Sequence, residues 1–248
     1  MEEKLLQMKS LVERLNQASD SYYNGKGELM TDYEWDALFD QLKRLEEETG
    51  DILPDSPTNR VSEDSIVGKK EEHEFAALSL AKTKQVSDLV KWAEDRPIWI
   101  SWKLDGLTLV VTYDGGKLNK IVTRGNGHIG TNITHLAPAI SGIPATISEK
   151  GHLVVRGEAV ISYADFEQFI IESEGDYANP RNLASGSLAL KDIEEVKQRH
   201  IQWIPFTLVY TERELTSWGE RMQMLKDLGM NPVERERIDH PTTENIQL

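Results

Sequence analysis

Residues 98–123 constrain the fold most, because apolar and polar side chains alternate along them across two breaks. From 98 to 105 every second residue is apolar, which is the periodicity of a β-strand. Two further strands are predicted at 107–113 and 118–123, on either side of the Asp-Gly-Gly sequence at 114–116, which is typical of a hairpin turn. The stretch therefore predicts antiparallel strands joined by short loops.

The later part of the chain adds more strands and a few helices. Strands are predicted at 153–161 and near 201–210, and helices at about 86–94, 163–173 and 217–228. Because the strands are long and few helices come between them, the pattern indicates an α+β fold with an antiparallel sheet.

An N-terminal helical hairpin precedes this sheet-rich part. Apolar side chains recur at helical spacing over residues 4–18. Thr31 and Glu34 form a capping-box pattern that opens a second helix. The turn-forming residues that follow this helix predict a linker. We therefore expect a helical module with its linker at 1–70 and a sheet-based domain at 71–248.

The composition excludes several classes of protein. Asp and Glu outnumber Lys and Arg by 42 to 28, so the formal net charge is −14. Tight nucleic-acid binding by the chain alone is unfavourable, since it needs clustered Lys and Arg. The chain has no cysteine, which excludes disulfides and cysteine-based zinc modules. No apolar run approaches the ~20 residues of a membrane span, so we expect a cytoplasmic protein without a membrane partner.

The most informative short motif is Lys103-Leu104-Asp105-Gly106. On a strand, Lys103 and Asp105 project to one face, while Trp102 and Leu104 are expected to pack behind. Taken alone, a Lys two residues before an Asp is more typical of a solvent-facing strand edge than of a catalytic site. Two later segments favour the catalytic interpretation.

Those segments bring arginine and a carboxylate to the same side of the sheet. Arg124 ends a predicted strand, and the glycines after it are expected to let a ligand approach the backbone. Arg156 and Glu158 face away from the apolar side of their strand, and Gly157 is expected to let a large flat ligand lie against the sheet. Nucleotidyl transfer to lysine requires such a set: a lysine nucleophile, arginine for phosphate, and carboxylates for ribose hydroxyls or Mg²⁺.

In order and spacing, these motifs resemble the adenylation domain of bacterial NAD-dependent DNA ligases. The resemblance rests on the lysine motif, Thr-Arg-Gly at 123–125, Arg-Gly-Glu at 156–158, Asn-Pro-Arg-Asn at 179–182, Tyr-Tyr at 22–23, Asp-Tyr-Glu-Trp-Asp at 32–36, Asp-Ser-Pro-Thr at 55–58 and Leu-Ser-Leu at 78–80. It implies an α+β architecture in which a helical hairpin module that binds nicotinamide mononucleotide precedes an antiparallel-sheet nucleotidyltransferase domain, an ATP-grasp-like ligase domain.

The resemblance implies that Lys103 takes AMP from NAD and that AMP then passes to the 5′-phosphate of a DNA nick, which the 3′-hydroxyl seals. It implies NAD and Mg²⁺ as cofactors, with Asp105 and Glu158 assisting the metal. The implied nucleotide-binding residues are Tyr22, Tyr23, Asp32, Trp35, Asp36, Ser79, Leu80, Ser101, Asp105, Gly106, Arg124, Glu158 and Arg181.

Four positions depart from the family pattern. Ser101 stands where a Glu is usual, on the adenine side of the implied site. Tyr23 and Trp35 replace a usual His and Tyr on the nicotinamide side. Ala189 stands where an Arg is usual, on the phosphate or DNA side. None of these departures removes the nucleophile.

The resemblance also implies motifs and domains that would follow this sequence, including a second Asp-Gly strand and a further lysine motif in the adenylate pocket. Two explanations stay open: a truncated chain, or one subunit of a split ligase such as some phages encode, which would act in the host cytoplasm. We favour the split subunit, and expect nicked duplex DNA to bind only to its complex with a second polypeptide. The alternative function is a non-catalytic NAD- or AMP-binding subunit whose partner completes the active site.

Overall fold

The computed structural model describes residues 2–23, 29–58, 66, 68–78, 81, 83–173, 177 and 179–246. Its first part is a pair of helices, α1 (Glu2–Tyr23) and α2 (Asp32–Thr49). The ammonium of Lys4, at the start of α1, lies 2.9 Å from the carboxylate of Glu48 at the end of α2, so the two helices run antiparallel. The buried core between them consists of Met8, Leu11, Val12, Leu15, Leu42 and Leu45.

Helix α2 begins with the capping box that the sequence predicts. The Thr31 hydroxyl accepts a hydrogen bond from the Glu34 N–H at 3.2 Å, and the Glu34 carboxylate accepts one from the Thr31 N–H at 2.9 Å. At the other end Gly50 adopts the left-handed conformation, with φ of 74°, that commonly terminates helices. A side-chain capping box therefore starts this helix, and the backbone conformation of a glycine ends it.

The Asp-Ser-Pro-Thr sequence closes the helical hairpin. The Ser56 hydroxyl donates to one carboxylate oxygen of Glu46 at 2.5 Å, and the Thr58 hydroxyl donates to the other at 2.7 Å. Glu46 and Ser56 are buried. Because a buried carboxylate is costly unless it is hydrogen-bonded, these two hydroxyls stabilise the junction between α2 and the chain that follows it.

The strands in the described residues are β1 (Lys70–Glu72), β2 (Ile98–Ser101), β3 (Leu107–Asp114), β4 (Lys117–Thr123), β5 (Ile129–Thr131), β6 (Leu153–Val160), β7 (Gln202–Thr211) and β8 (Arg235–Ile238). Four of them form an antiparallel sheet in the order β4-β3-β6-β7, with Leu107 opposite Ala159. This register places the chain just before β3 beside the end of β6. The α+β class with an antiparallel sheet is thereby confirmed.

Two smaller antiparallel sheets pair β1 with β5 and β2 with β8. The strand predicted for 98–105 is too long, because β2 ends at Ser101 and pairs outside the main sheet. Trp102 does not pack behind the lysine motif as expected, since its side chain is 70% exposed. Residues 102–105 form an irregular connection from one sheet to the other.

The remaining α-helices in the described residues are α3 (Val86–Ala93), α4 (Tyr163–Ser173), α5 (Pro180–Leu188), α6 (Ile193–Lys197), α7 (Trp218–Asp227) and α8 (Thr243–Ile246). A short 3₁₀ helix lies at Thr134–Ala139. The helices predicted at 86–94, 163–173 and 217–228 are confirmed as α3, α4 and α7. Within the described ranges, no helix combines the length and the apolar character that a membrane crossing needs.

The main hydrophobic core covers one face of the four-stranded sheet and includes Leu109, Val155 and Trp203. Gly157 lies on this face, where a Cβ atom would come within 2.4 Å of Cε2 of the Trp203 indole. The prediction that Gly157 admits a flat ligand is therefore wrong. The flat group beside it is a buried side chain of the protein itself.

Candidate active site

A cavity of about 1300 Å³ opens beside the lysine motif. Ligand pockets commonly have volumes of about 300–1,000 Å³, so this cavity is larger than that range. Predicted site residues in its wall are Ser101, Lys103, Gly106, Arg124, Glu158 and Arg181. The structure thus brings together residues that are widely separated in the sequence.

Lys103 is exposed in the irregular connection between β2 and β3. The position of this connection depends on Gly106, whose N–H donates to the Glu158 carboxylate at 3.1 Å. A Cβ atom on Gly106 would lie only 2.1 Å from the carbonyl oxygen of Ala159. Glycine therefore permits the close approach to β6 that holds the lysine motif at the edge of the main sheet.

Glu158 is a buried carboxylate, with 8% of its surface exposed. One oxygen accepts the hydrogen bond from Gly106, and the other accepts one from the Thr108 hydroxyl at 2.8 Å. Burial raises the pKa of Glu158, and these hydrogen bonds and the charges of Arg181 and Lys103 offset only part of the rise. The side chain is thus a positioned acceptor beside the lysine.

Arg181 and Asp105 form an ion pair, with 2.7 Å between Nη1 and Oδ1. Arg181 lies in the first turn of α5. The N-cap of this helix is Asn179, whose side-chain oxygen accepts a hydrogen bond from the Asn182 N–H at 2.9 Å. The Asn-Pro-Arg-Asn motif therefore starts a helix and directs an arginine towards the lysine motif. Because guanidinium binds carboxylate and phosphate alike, Arg181 is suited to a phosphate at this place.

Arg124 donates from Nε to the carbonyl oxygen of Ala77 at 2.9 Å. The following Gly125 has φ of 53°, and a Cβ atom there would lie 2.0 Å from the carbonyl oxygen of Ile129. The glycine is thus required by the turn itself, because the backbone passes too close for a side chain. Gly125 also lines the cavity, and the expectation that the glycines after Arg124 let a ligand approach the backbone stays a prediction.

The predicted Mg²⁺ ligands are already engaged by other groups. Both oxygens of Glu158 accept hydrogen bonds from the protein, and Asp105 is paired with Arg181. Among the described residues, no group of three or more His, Cys, Asp or Glu side chains is arranged to hold a metal ion. Because Mg²⁺ requires near-octahedral oxygen coordination, Asp105 and Glu158 do not fit a magnesium site built by the protein alone.

Several predicted residues lie elsewhere or outside the described part. The side chains of Tyr22, Tyr23, Asp32 and Asp36 lie outside the described residues, as do Ser79 and Leu80 entirely. Trp35 packs within the helical hairpin: its ring stacks on Phe39 with 4.8 Å between centroids, and its indole N–H donates to Ser19 at 3.2 Å. Their proposed contacts with NAD stay predictions.

The sequence did not predict part of the cavity wall. Thr108, which binds Glu158, carries no motif that could have identified it. Arg237 reaches the cavity because β8 pairs with β2, a long-range pairing that periodicity does not reveal. Ser217 and Glu220 are different, because they form a capping box at the start of α7 that is visible as S/T-x-x-E in the sequence.

Comparison with known families agrees with this arrangement. Residues 69–247 match the NAD-dependent DNA ligase adenylation domain. The chain belongs to the NAD-dependent DNA ligase family. Residues 1–62 match the DNA ligase-like, N-terminal NAD⁺-binding domain. The helical hairpin and the sheet with its lysine cavity are thus the N-terminal and adenylation regions of this ligase family.

Curated relatives of this ligase family are longer proteins. A DNA ligase of Lachnoclostridium phytofermentans is 40% identical over 252 residues, covering 99% of this chain and 38% of the relative. A DNA ligase of Ruminiclostridium cellulolyticum is also 40% identical, covering 100% of this chain and 38% of the relative. A DNA ligase of Leptospira biflexa is 39% identical over 78% of the chain. The chain thus spans about 38% of the length of the first two relatives.

We expect Glu158→Gln to preserve the fold of this ligase region and to raise its relative stability as pH rises. A carboxyl whose pKa is raised on folding contributes stability at low pH and loses it as pH rises through the folded pKa. Glutamine is neutral throughout and keeps an acceptor for Gly106. Urea unfolding at pH 5 and pH 8 should show a larger stability advantage of the variant over the wild type at pH 8 than at pH 5.

Glu71→Gln provides the matched control. Hydrogen bonding from Asn132, with help from Lys69 and Lys120, lowers the pKa of Glu71 to about 2. Its stabilising contribution is present above the unfolded pKa, so the control should be destabilised equally at pH 5 and pH 8. If the stability difference between Glu158→Gln and the wild type were also equal at pH 5 and pH 8, it would contradict a pKa of Glu158 that burial raises.

Proposed function

We propose that this chain carries out the first step of NAD-dependent DNA ligation, the adenylation of its own Lys103. The observation that carries the proposal is the cavity in which Lys103 lies with Glu158, Arg124 and Arg181, within the region that matches the adenylation domain. An exposed lysine that shares a cavity with a buried acceptor and two arginines suits attack on a phosphate.

The proposed step exchanges one bond to phosphorus for another. The unprotonated ε-amine of Lys103 attacks the α-phosphorus of NAD, and an N–P bond forms. The P–O bond to nicotinamide mononucleotide breaks, and its electron pair leaves with that product, while the amine proton passes to solvent. Arg181 and Arg124 would stabilise the phosphate charge, and Glu158 would accept a hydrogen bond from a ribose hydroxyl.

The other assignments form part of the same proposal. Residues 1–70 would form the module that binds the nicotinamide mononucleotide half of NAD through Tyr22, Asp32 and Asp36, and 71–248 the adenylation domain. A second polypeptide would supply what the longer relatives contain, and nicked duplex DNA would bind to that complex. A chain with a net charge of −14 is poorly suited to gripping phosphates alone.

Mass spectrometry of the intact chain tests the proposal. After incubation with NAD in magnesium-containing buffer, we expect a mass increase of one AMP, and with ATP in place of NAD we expect none. The N-terminal region that matches an NAD⁺-binding domain supports this selectivity.

The same measurement distinguishes the alternative function. If the chain acquires AMP only after the C-terminal part of a longer relative is added, the active site is completed in trans and the chain alone is a binding subunit. If it acquires no AMP under either condition, self-adenylation is refuted.

A further inference from the structure

Residues 73–78 form a segment that we call the strap, which contains no helix or strand. It runs along the turn that follows Arg124. The His73 N–H donates to the carbonyl of His128, and the Ala77 N–H donates to the carbonyl of Gly127, both at 2.7 Å. These bonds fix the backbone of the strap at two points against the turn.

Two arginines hold the other side of the strap. Arg156 donates from Nη2 to the carbonyl oxygens of Phe75 at 3.1 Å and of Ala76 at 2.7 Å. Arg124 donates to the next carbonyl, that of Ala77. Three successive carbonyl oxygens therefore face two guanidinium groups, in an arrangement that a disordered segment would not maintain.

The two guanidinium groups repel each other. Burial lowers the pKa of Arg156, and the charge of Arg124 lowers it further. The carbonyl dipoles of the strap offset this repulsion, because their negative ends lie against both cations. Removal of the strap would thus change the position of Arg124 in the cavity wall.

We propose that Arg156 is a positioning residue, which holds the strap so that the Ala77 carbonyl orients Arg124 towards a ligand in the cavity. The inference rests on the proposed function only for the identity of that ligand, an adenylate. Its consequence is a thermodynamic coupling: a ligand in the cavity should slow amide exchange in the strap, and a change that loosens the strap should weaken binding of that ligand.

Other contacts make this coupling testable without unfolding the domain. Phe75 stacks on Tyr210 with 5.2 Å between ring centroids. The carboxylate of Glu74 lies 2.9 Å from Nε2 of His152. The strap should therefore loosen without detaching when Arg156 alone is replaced.

The test measures AMP binding by calorimetry and amide hydrogen exchange over 73–78 in the full chain. Arg156→Met should bind AMP about tenfold more weakly and exchange faster at His73 and Ala77. Arg156→Lys, which keeps the charge and one donor nitrogen, should restore part of the affinity and part of the protection from exchange. The matched control is Arg221→Met, since Arg221 also donates to two carbonyls, those of Leu208 and Val209, and should leave AMP affinity within about twofold of wild type.

A double mutant separates positioning from general destabilisation. If Arg156 acts through Arg124, then adding Arg156→Met to Arg124→Gln should weaken AMP binding no further. Additive losses, unchanged exchange in the strap, or a wild-type chain that binds no AMP would each overturn the inference. A wild-type chain that binds AMP but is not adenylated by NAD would refute the proposed function and leave this inference standing.

Discussion

Replacing Lys103 with alanine should reduce the AMP adduct formed from NAD to below detection. The reason is chemical, since the other wall residues of the cavity, two carboxylates and three arginines among its ionisable groups, offer no amine. Lys103→Arg should be equally inactive, because a guanidinium remains protonated and is a poor nucleophile. Intact-protein mass spectrometry after a long incubation with NAD measures both variants.

Lys191→Ala is the control for this experiment, because Lys191 is exposed between α5 and α6 and does not contribute to the cavity wall. It should form adduct at the wild-type rate. Peptide mapping of the wild-type adduct should place AMP on Lys103. An adduct that persists in Lys103→Ala would assign the nucleophile to another residue.

The second large effect is expected for Gly106→Ala. Its added methyl group would collide with the backbone of Ala159, which cannot move without disturbing the pairing of β3 with β6. We expect a loss of about 3 kcal/mol in the free energy of unfolding, at the upper end of the range for overpacking. The displaced lysine motif should also form adduct at least about tenfold more slowly, a barrier increase of about 1.4 kcal/mol.

Gly115→Ala separates crowding from backbone strain. Gly115 has φ of 59°, and a methyl group added there would meet no atom of the described residues within 4 Å. Alanine there should cost about 1–2 kcal/mol through the left-handed conformation alone, and adduct formation should be normal. Urea unfolding and adduct rates, measured together, would reject our explanation if the two variants behaved alike.

Features set by neighbouring residues could be predicted from the sequence. The Thr31 and Glu34 capping box and the hairpin turn at 114–116 each depend on a few adjacent side chains and on glycine conformation. The three helices predicted after the N-terminal hairpin are also correct to within a residue or two. Asn179 and Pro180 carry equally local signals for the start of α5, an N-cap residue and a first-turn proline.

Features set by long-range pairing could not be predicted. The alternation over 98–105 does not reveal that β2 leaves the main sheet to pair with β8, and so it overestimates the strand. The same holds for Gly157. A glycine on a strand indicates that some group approaches the backbone closely, but the sequence does not identify that group as Trp203.

The order of motifs in the sequence predicts which residues form the candidate site, but not the hydrogen bonds that organise them. The lysine motif, Arg124, Glu158 and Arg181 do line one cavity. The bonds that organise them, from Gly106 and Thr108 to Glu158 and from Arg124 to Ala77, join segments distant in sequence and leave no local pattern. The partners of Asp105 and Glu158 are likewise not visible in their own segments, and their role in assisting Mg²⁺ stays a prediction.

The burial of Trp203 also has an optical consequence. Its side chain is 1% exposed, whereas Trp92 and Trp102 are 68% and 70% exposed, and both of these line the cavity. Indole fluorescence shifts to shorter wavelengths in apolar surroundings and is quenched by solutes in water. The short-wavelength emission, from Trp203, should therefore report the unfolding of the main sheet. The long-wavelength emission that iodide quenches, from Trp92 and Trp102, should report ligand binding in the cavity.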